Sequence, residues 1–367
     1  MKYYIIAGEA SGDLHGSNLV KQMKLQDPAA DIRAWGGDLM EQAGAKVVKH
    51  YRELAFMGFV EVVMNLRTIM KNLDTCKKDI LAFKPDVLVL IDYPGFNIRI
   101  AEWAKQQGFK TVYYISPQVW AWKEGRVKKI KECVDEMLCI LPFEQAFYKK
   151  WNFDVQYVGH PLIEVVQEAK ANNHVPPFSD KPIIALLPGS RKQEVTKKLP
   201  IMLTMARYFP EYQFIVAQAP SLDDSFLQQF TNAYPNVSTV KNQTYALLLQ
   251  SRAALVTSGT ATLETALFGV PEVVCYKGSP ISYMLAKNFI KVKYISLVNL
   301  IMDKLVVTEL IQHDLTEEKL LKELTLLLKD EAKQQQLKAD YAQLWTLLGE
   351  GGASAKAAKA VVDMARK

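Results

Sequence analysis

Two stretches of this chain, one at its start and one near its middle, are written in the same order. Each has a short apolar run, a turn containing glycine and serine, then an amphipathic segment. Tyr3–Ala7 leads into Gly8-Glu9-Ala10-Ser11-Gly12, and Ile183–Leu187 leads into Pro188-Gly189-Ser190-Arg191. Similar runs recur at Val87–Ile91, Thr111–Ile115, Glu136–Ile140 and Val155–Val158, then at Gln213–Ala217, Val237–Val240, Ala253–Thr257 and Glu272–Tyr276. Short strands alternating with helices predict parallel sheets covered on both faces. The alternation lapses once, across Gln167–Pro182, which is polar and holds Pro176-Pro177. The expected organisation is two doubly wound, Rossmann-like α/β domains facing across a cleft: residues 1–168, a linker over 169–182, and residues 183–345. The leucines from Leu320 to Leu348 read as packing faces. A helical tail over 346–367 either crosses back to the first domain or meets a partner chain.

Composition narrows the function. Across 367 residues, 45 Lys and Arg against 39 Asp and Glu leave a net charge of 45 − 39 = +6, too mild for a nucleic-acid binder. An anionic membrane surface or a phosphorylated substrate stays open. No apolar window approaches the roughly 18–20 residues of a membrane span, and the apolar opening is too short for a signal sequence. Cys76, Cys133, Cys139 and Cys275 show no C-x-x-C spacing and are expected to be buried thiols, which points to the cytosol.

In doubly wound sheets ligands sit beyond the carboxyl ends of the strands. After the first strand, Glu9, Ser11 and Gly12 lie where free amides favour an anion, although a plain turn capped by Ser11 or Asp13 is the competing reading. The Gly8, Gly12, Gly16 spacing is not a dinucleotide fingerprint. The apolar run Val87–Ile91 reads as a strand buried on both faces, and Asp92 emerges at its end. Desolvation there raises a carboxyl pKa and suits a general base; a helix-capping Asp92 reads equally well from position. Asn97 is placed to cap the helix that follows. Trp120 and Trp122, ahead of Lys123, Arg126, Lys128, Lys129 and Lys131, form a ligand wall, a membrane contact or a solvated helix face. The Met57-containing stretch Tyr51–Leu73 reads as an acyl groove, a membrane-surface helix or ordinary core.

The second half supplies two phosphate-type turns. Gly189 and Ser190 leave amides open, and Arg191 offers a planar fork for a diphosphate, with Glu194 in the next turn. Ser258, Gly259 and Thr260 repeat the logic, and Glu264 lies one helical turn on, suited to ribose hydroxyls or to a surface ion pair. Together these read as a nucleoside-diphosphate site. No Asp-x-Asp, H-E-x-x-H, G-x-S-x-G or Walker sequence is present, so neither a metal nor a cofactor is expected.

Gly8–Asp13, Met57–Val62, Ile91–Asn97, Ser116–Trp122, Leu187–Arg191 with Glu194, Ser258–Glu264, and Ser296–Leu300 with Glu309-Leu310 resemble, in order, the motif series of the lipid-A-disaccharide synthases. The resemblance implies a glycosyltransferase-B fold and a metal-independent, inverting transfer. UDP-2,3-diacylglucosamine would react with 2,3-diacylglucosamine 1-phosphate (lipid X) at the cytoplasmic face of the inner membrane. It implies Asp92 as base, and Arg191 and Asn299 as residues needed for activity. It leaves a homodimer exchanging C-terminal parts open. Gly95 stands where the family commonly has a second Asp, which points to Asp92 as the essential carboxylate; Thr308 replaces a proline before Glu309. Alternatives are another UDP-sugar enzyme of the same fold, a transferase or 2-epimerase, and a non-catalytic UDP-sugar or lipid binder.

Overall fold

A computed structural model describes residues 1–54, 66–172, 174–278 and 292–367. Met57 and the rest of 55–65, the middle of the Tyr51–Leu73 stretch, lie outside the described residues.

The chain divides into two compact units, Met1–Pro161 with Gly351–Lys367, and Leu162–Glu350. The first holds a seven-stranded sheet ordered β3-β2-β1-β4-β5-β6-β7. Its strands are β1 (Lys2–Ala7), β2 (Asp31–Gly36), β3 (Lys46–His50), β4 (Val87–Ile91), β5 (Thr111–Tyr114), β6 (Glu136–Cys139) and β7 (Gln156–Tyr157). The second holds a six-stranded sheet ordered β10-β9-β8-β11-β12-β13. Its strands are β8 (Ile183–Leu187), β9 (Gln213–Gln218), β10 (Val237–Lys241), β11 (Ser251–Thr257), β12 (Glu272–Tyr276) and β13 (Thr308–Ile311). All pairings are parallel. The expected α/β class with two doubly wound domains is what the chain adopts.

The central strands β4 and β8 are apolar throughout because helices cover both their faces, and every residue of each is buried. Strands β2, β3 and β13 were not legible as runs. β3 carries lysines and is only partly covered at its sheet edge, and β13 is four residues long with only Leu310 and Ile311 apolar.

Two boundaries differ from expectation. The Leu162–Ala171 helix belongs to the second unit, not the first, because Lys170 reaches Leu267 O at 2.9 Å and lies over the Trp345 ring at 5.0 Å. The Glu331–Leu348 helix also stays with that unit past residue 345, held by Tyr341 Oη to Val270 O (3.2 Å) and Trp345 Nε1 to Leu267 O (3.3 Å). After Gly349–Gly352 the chain returns to the first unit. The Ala353–Arg366 helix packs on the Ala10–Gln26 helix and on β4 and β5, with Ala357, Ala358, Val361 and Val362 buried. Small side chains let the two helices approach closely. Gln26 and Lys110 secure the tail by donating to Ala355 O (3.1 Å) and Met364 O (3.3 Å). All four cysteines are buried free thiols.

Candidate functional site

Each sheet has one place where the order of strands reverses direction, β1 beside β4 and β8 beside β11. Loops leaving two such strands run to opposite sides, which opens a crevice at their carboxyl ends. The residues singled out from the sequence gather at these two places.

In the first unit Ala7 pairs with Ile91, so Gly8 and Asp92 leave the sheet side by side. The Tyr93 ring lies across Gly8, where a Cβ would come within 2.4 Å of it, so only glycine fits. Asp92 and Tyr93 both have left-handed backbone, with φ of 44° and 49°. That conformation costs an ordinary residue about 1–2 kcal/mol and survives where its surroundings over-determine it. The restraint is on view: Asp92 O accepts from Tyr113 Oη at 2.6 Å and from Asn97 Nδ2 at 2.8 Å, while Asp92 N donates to Tyr114 O at 3.2 Å. Asn97 also donates towards Ile91 O (3.2 Å) and Ile6 O (3.4 Å). It is fully buried and does not cap the next helix, which starts at Pro94 with Tyr93 as its N-cap. Asp92 likewise is not that cap.

The Asp92 carboxyl is half-buried at the tip of β4. Burial and the negative charge of Glu9 push its pKa up to about 7, against the lowering effect of the Tyr93 amide. Glu9 is the N-cap residue of the Ala10–Gln26 helix, which begins earlier than the sequence suggested, so Ser11 and Gly12 lie within its first turn. Ser11 is exposed, and Gly12 packs on Ala7. Asp13 does cap a helix, but a distant one, accepting from the amides of Gly37 (2.8 Å), Leu39 (3.1 Å) and Met40 (3.1 Å). His15 and His160, both buried, were missed; burial lowers the pKa of each.

The paired tryptophans part company. Trp120 is buried and donates to Glu144 Oε1 at 3.2 Å; Glu144 also accepts from Leu141 N (2.9 Å), and burial pushes its pKa up to about 7. Trp122 is exposed, with Lys123 and Arg126 over its ring at 4.4 and 5.4 Å.

In the second unit Leu187 pairs with Val256, which brings the two phosphate-type turns together at the switch point. Arg191 is the N-cap residue of the Lys192–Tyr208 helix, and its guanidinium meets Glu194 Oε1 at 3.3 Å. Ser190 is exposed; its carbonyl accepts from Ser221 Oγ at 2.8 Å. Gly259, at φ 140° and ψ −162°, adopts a conformation open to glycine alone and starts the Thr260–Leu267 helix. Ser258 Oγ donates to Ile295 O at 3.1 Å. Glu264 is half-buried and accepts from Tyr245 Oη at 2.9 Å, with its pKa raised by burial; the contact is a hydrogen bond and not an ion pair. Asn299 is fully buried. Its amide donates to Val307 O (2.8 Å) and Glu309 Oε1 (2.9 Å) and accepts from Val306 N (2.8 Å) and Val307 N (3.0 Å). Its side chain therefore braces the loop ahead of β13, while Glu309 also accepts from the Ile295 and Ser296 amides. Lys198, also missed, is buried beneath the Arg191 turn. The signal was present: Val195, Lys198, Leu199 and Met202 share one face of their helix, so a lysine sits in an apolar stripe.

Among the described residues no three His, Cys, Asp or Glu side chains gather as a metal site, and no helix is long and apolar enough to cross a membrane.

A profile of the family described as lipid-A-disaccharide synthetase matches residues 3–363. The chain is 40% identical over 373 residues to a lipid-A-disaccharide synthase of Syntrophus aciditrophicus, covering 99% of this chain and 97% of that one. Its counterpart in Coxiella burnetii is 38% identical over 368 residues, covering 98% and 97%. Among solved structures, the UDP-GlcNAc 2-epimerase of Neisseria meningitidis bound to UDP-GlcNAc superposes with a TM-score of 0.68 at 13% identity, over 99% of this chain and 100% of the other. The calicheamicin glycosyltransferase gives 0.62 at 18%, over 100% and 98%. At such identities the structural likeness speaks to fold alone.

Proposed function

The chain belongs to the lipid-A-disaccharide synthase family, and from that premise we propose that it joins UDP-2,3-diacylglucosamine to 2,3-diacylglucosamine 1-phosphate with inversion at the anomeric carbon. It is a glycosyltransferase of the glycosyltransferase-B type, and lipid A disaccharide synthesis is its task. In the proposed step Asp92 takes the proton of the acceptor's 6-hydroxyl. That oxygen forms the new bond to the anomeric carbon, and the bond to the diphosphate breaks with its electron pair leaving on UDP. No second carboxylate is assigned as a nucleophile, so configuration inverts. Arg191, the amides after Gly189 and those of the Gly259 turn offset charge on the departing diphosphate. Glu264, braced by Tyr245, accepts from the ribose hydroxyls. Asn299 acts through the loop it braces.

The single observation carrying the base assignment is Asp92 itself: a carboxyl at the strand tip, on a locked backbone, with its pKa moved to about 7. General-base help is worth about 10²–10⁴ in rate. Asp92→Asn is therefore expected to lose activity by about that factor in an assay with both lipid substrates, while UDP binds as before. Equal loss of UDP affinity would assign Asp92 to structure. Supplying UDP-N-acetylglucosamine alone tests the epimerase alternative, which predicts a 2-epimer and no UDP release. Lipid substrates, with the exposed Trp122 and the cations over it, support peripheral binding to an anionic membrane, at the cytoplasmic face of the inner membrane in this reading.

A further inference from the structure

Lys198 occupies a position that packing alone would give to leucine or methionine. Its residue is 3% exposed, between buried Val195 and Leu199 and one turn ahead of Met202. Burying an ammonium group is costly unless it is partnered, and its partners are informative. The Nζ donates to Thr257 Oγ1 and lies 3.8 Å from Glu194 Oε2. Thr257 is the last residue of β11, directly before the Ser258-Gly259 turn. Glu194 lies against the other turn: a Cβ on Gly189 would come within 2.5 Å of Glu194 Oε2, and Glu194 Oε1 meets Arg191 at 3.3 Å. Charges thus alternate from Arg191 through Glu194 to Lys198, and the row ends on the hydroxyl of Thr257.

We propose that Lys198 is a positioning residue for the diphosphate: its buried ammonium ties the β8 and β11 turns together and neutralises Glu194. Without that cation, Glu194 would set an uncompensated negative charge beside the incoming diphosphate and hold Arg191 for itself. With it, Arg191 can turn to the phosphates while Glu194 keeps a partner below. Lys198 does not itself touch the nucleotide. The inference rests on the reading that these two turns hold the diphosphate.

The test is a set of UDP and uridine affinities measured by calorimetry on the full-length protein. Lys198→Met suits the apolar stripe, so its melting temperature is expected to stay near that of the parent. Its UDP affinity is expected to fall about tenfold, because the partly exposed Glu194 carboxylate loses its buried cationic partner. Uridine, which lacks phosphate, should bind unchanged. Adding Glu194→Gln to Lys198→Met should recover most of the loss, because the stranded carboxylate is then gone. Unchanged UDP affinity in Lys198→Met overturns the proposal, as does a loss that Glu194→Gln does not relieve or one that uridine shares. Should Lys198→Met fail to fold, Thr257→Val removes only the hydroxyl partner and is expected to weaken UDP binding about threefold; no change there overturns the link. Arg191→Ala separates this inference from its premise. If that variant also binds UDP normally, the diphosphate is held elsewhere; if it alone weakens binding, only the role of Lys198 fails.

Discussion

The two switch points of this molecule share a topology and carry opposite chemistry. At the tips of β1 and β4 stand two carboxylates, Glu9 on extended backbone and Asp92 on a backbone forced into the left-handed region and hemmed in by Tyr93, Tyr113 and Asn97. At the tips of β8 and β11 stand Arg191 and Lys198, with glycine turns and helix starts that present amides. The doubly wound order opens a crevice at each place, but only the residues lining it decide whether the crevice raises a carboxyl's pKa or holds an anion. The first tip pays in strain for a poised proton acceptor; the second gains from charge alternation.

If this contrast holds, perturbing the two tips should have separable consequences. After Asp92→Asn itself, the largest effect is expected at Asn97, whose amide hydrogen bonds pin the Asp92 turn. Asn97→Ala removes a buried donor shared by the Asp92, Ile91 and Ile6 carbonyls, at about 1–3 kcal/mol of stability. It should also cut turnover by about 10², because a displaced catalytic group loses its alignment. Denaturant unfolding and steady-state rates would show both, with UDP affinity untouched. Next is Arg191→Ala, expected to weaken UDP about tenfold through loss of a charge-assisted contact while leaving the pH dependence of turnover unmoved. A shifted pH profile in that variant would break the separation of the two sites.

Smaller effects follow from the carboxylates. Asp92 must be ionised to accept a proton, so turnover should rise with pH through about 7. Burial is the first cause of that raised value and Glu9 the second, so Glu9→Gln should move the rising limb to lower pH without abolishing it. An unmoved limb would remove Glu9 from the site. Linkage gives a further sign. Asp92 has a folded pKa raised above its unfolded value of about 3.9, so between that value and about 7 the folded state binds the extra proton and stability falls as pH rises. Asp92→Asn, inactive as an enzyme, should therefore melt at a higher temperature than the parent at pH 8, and the gap should close at pH 4. The reverse order would mean that the ionised carboxylate is a stabilising partner.

Much of this fold is legible in the sequence, and the parts that are not have physical causes. The all-apolar runs of β4 and β8 declared buried parallel strands, and the glycine turns marked where their helices begin. The edge strand β3 is not legible because its covering is incomplete: Lys46 and Val48 are exposed and its other residues only half-buried. The capping readings failed for a different reason. Asp13 and Asn97 carry side chains that do satisfy backbone groups, as their type suggests, but the groups belong to Gly37, Leu39 and Met40 in one case and to Ile6, Ile91 and Asp92 in the other.

By itself the sequence determined the alternation of strand and helix, the two kinds of turn and the family, because each is carried by residues close together in the chain or by their order along it. Tertiary structure decided which strands became neighbours, and hence that Gly8 lies beside Asp92 and Leu187 beside Val256. It also decided where the alanine-rich tail docks and that Lys198 would be buried against Thr257. Those are partnerships between residues far apart in the chain, and a local pattern states what a side chain can do without stating what it will meet.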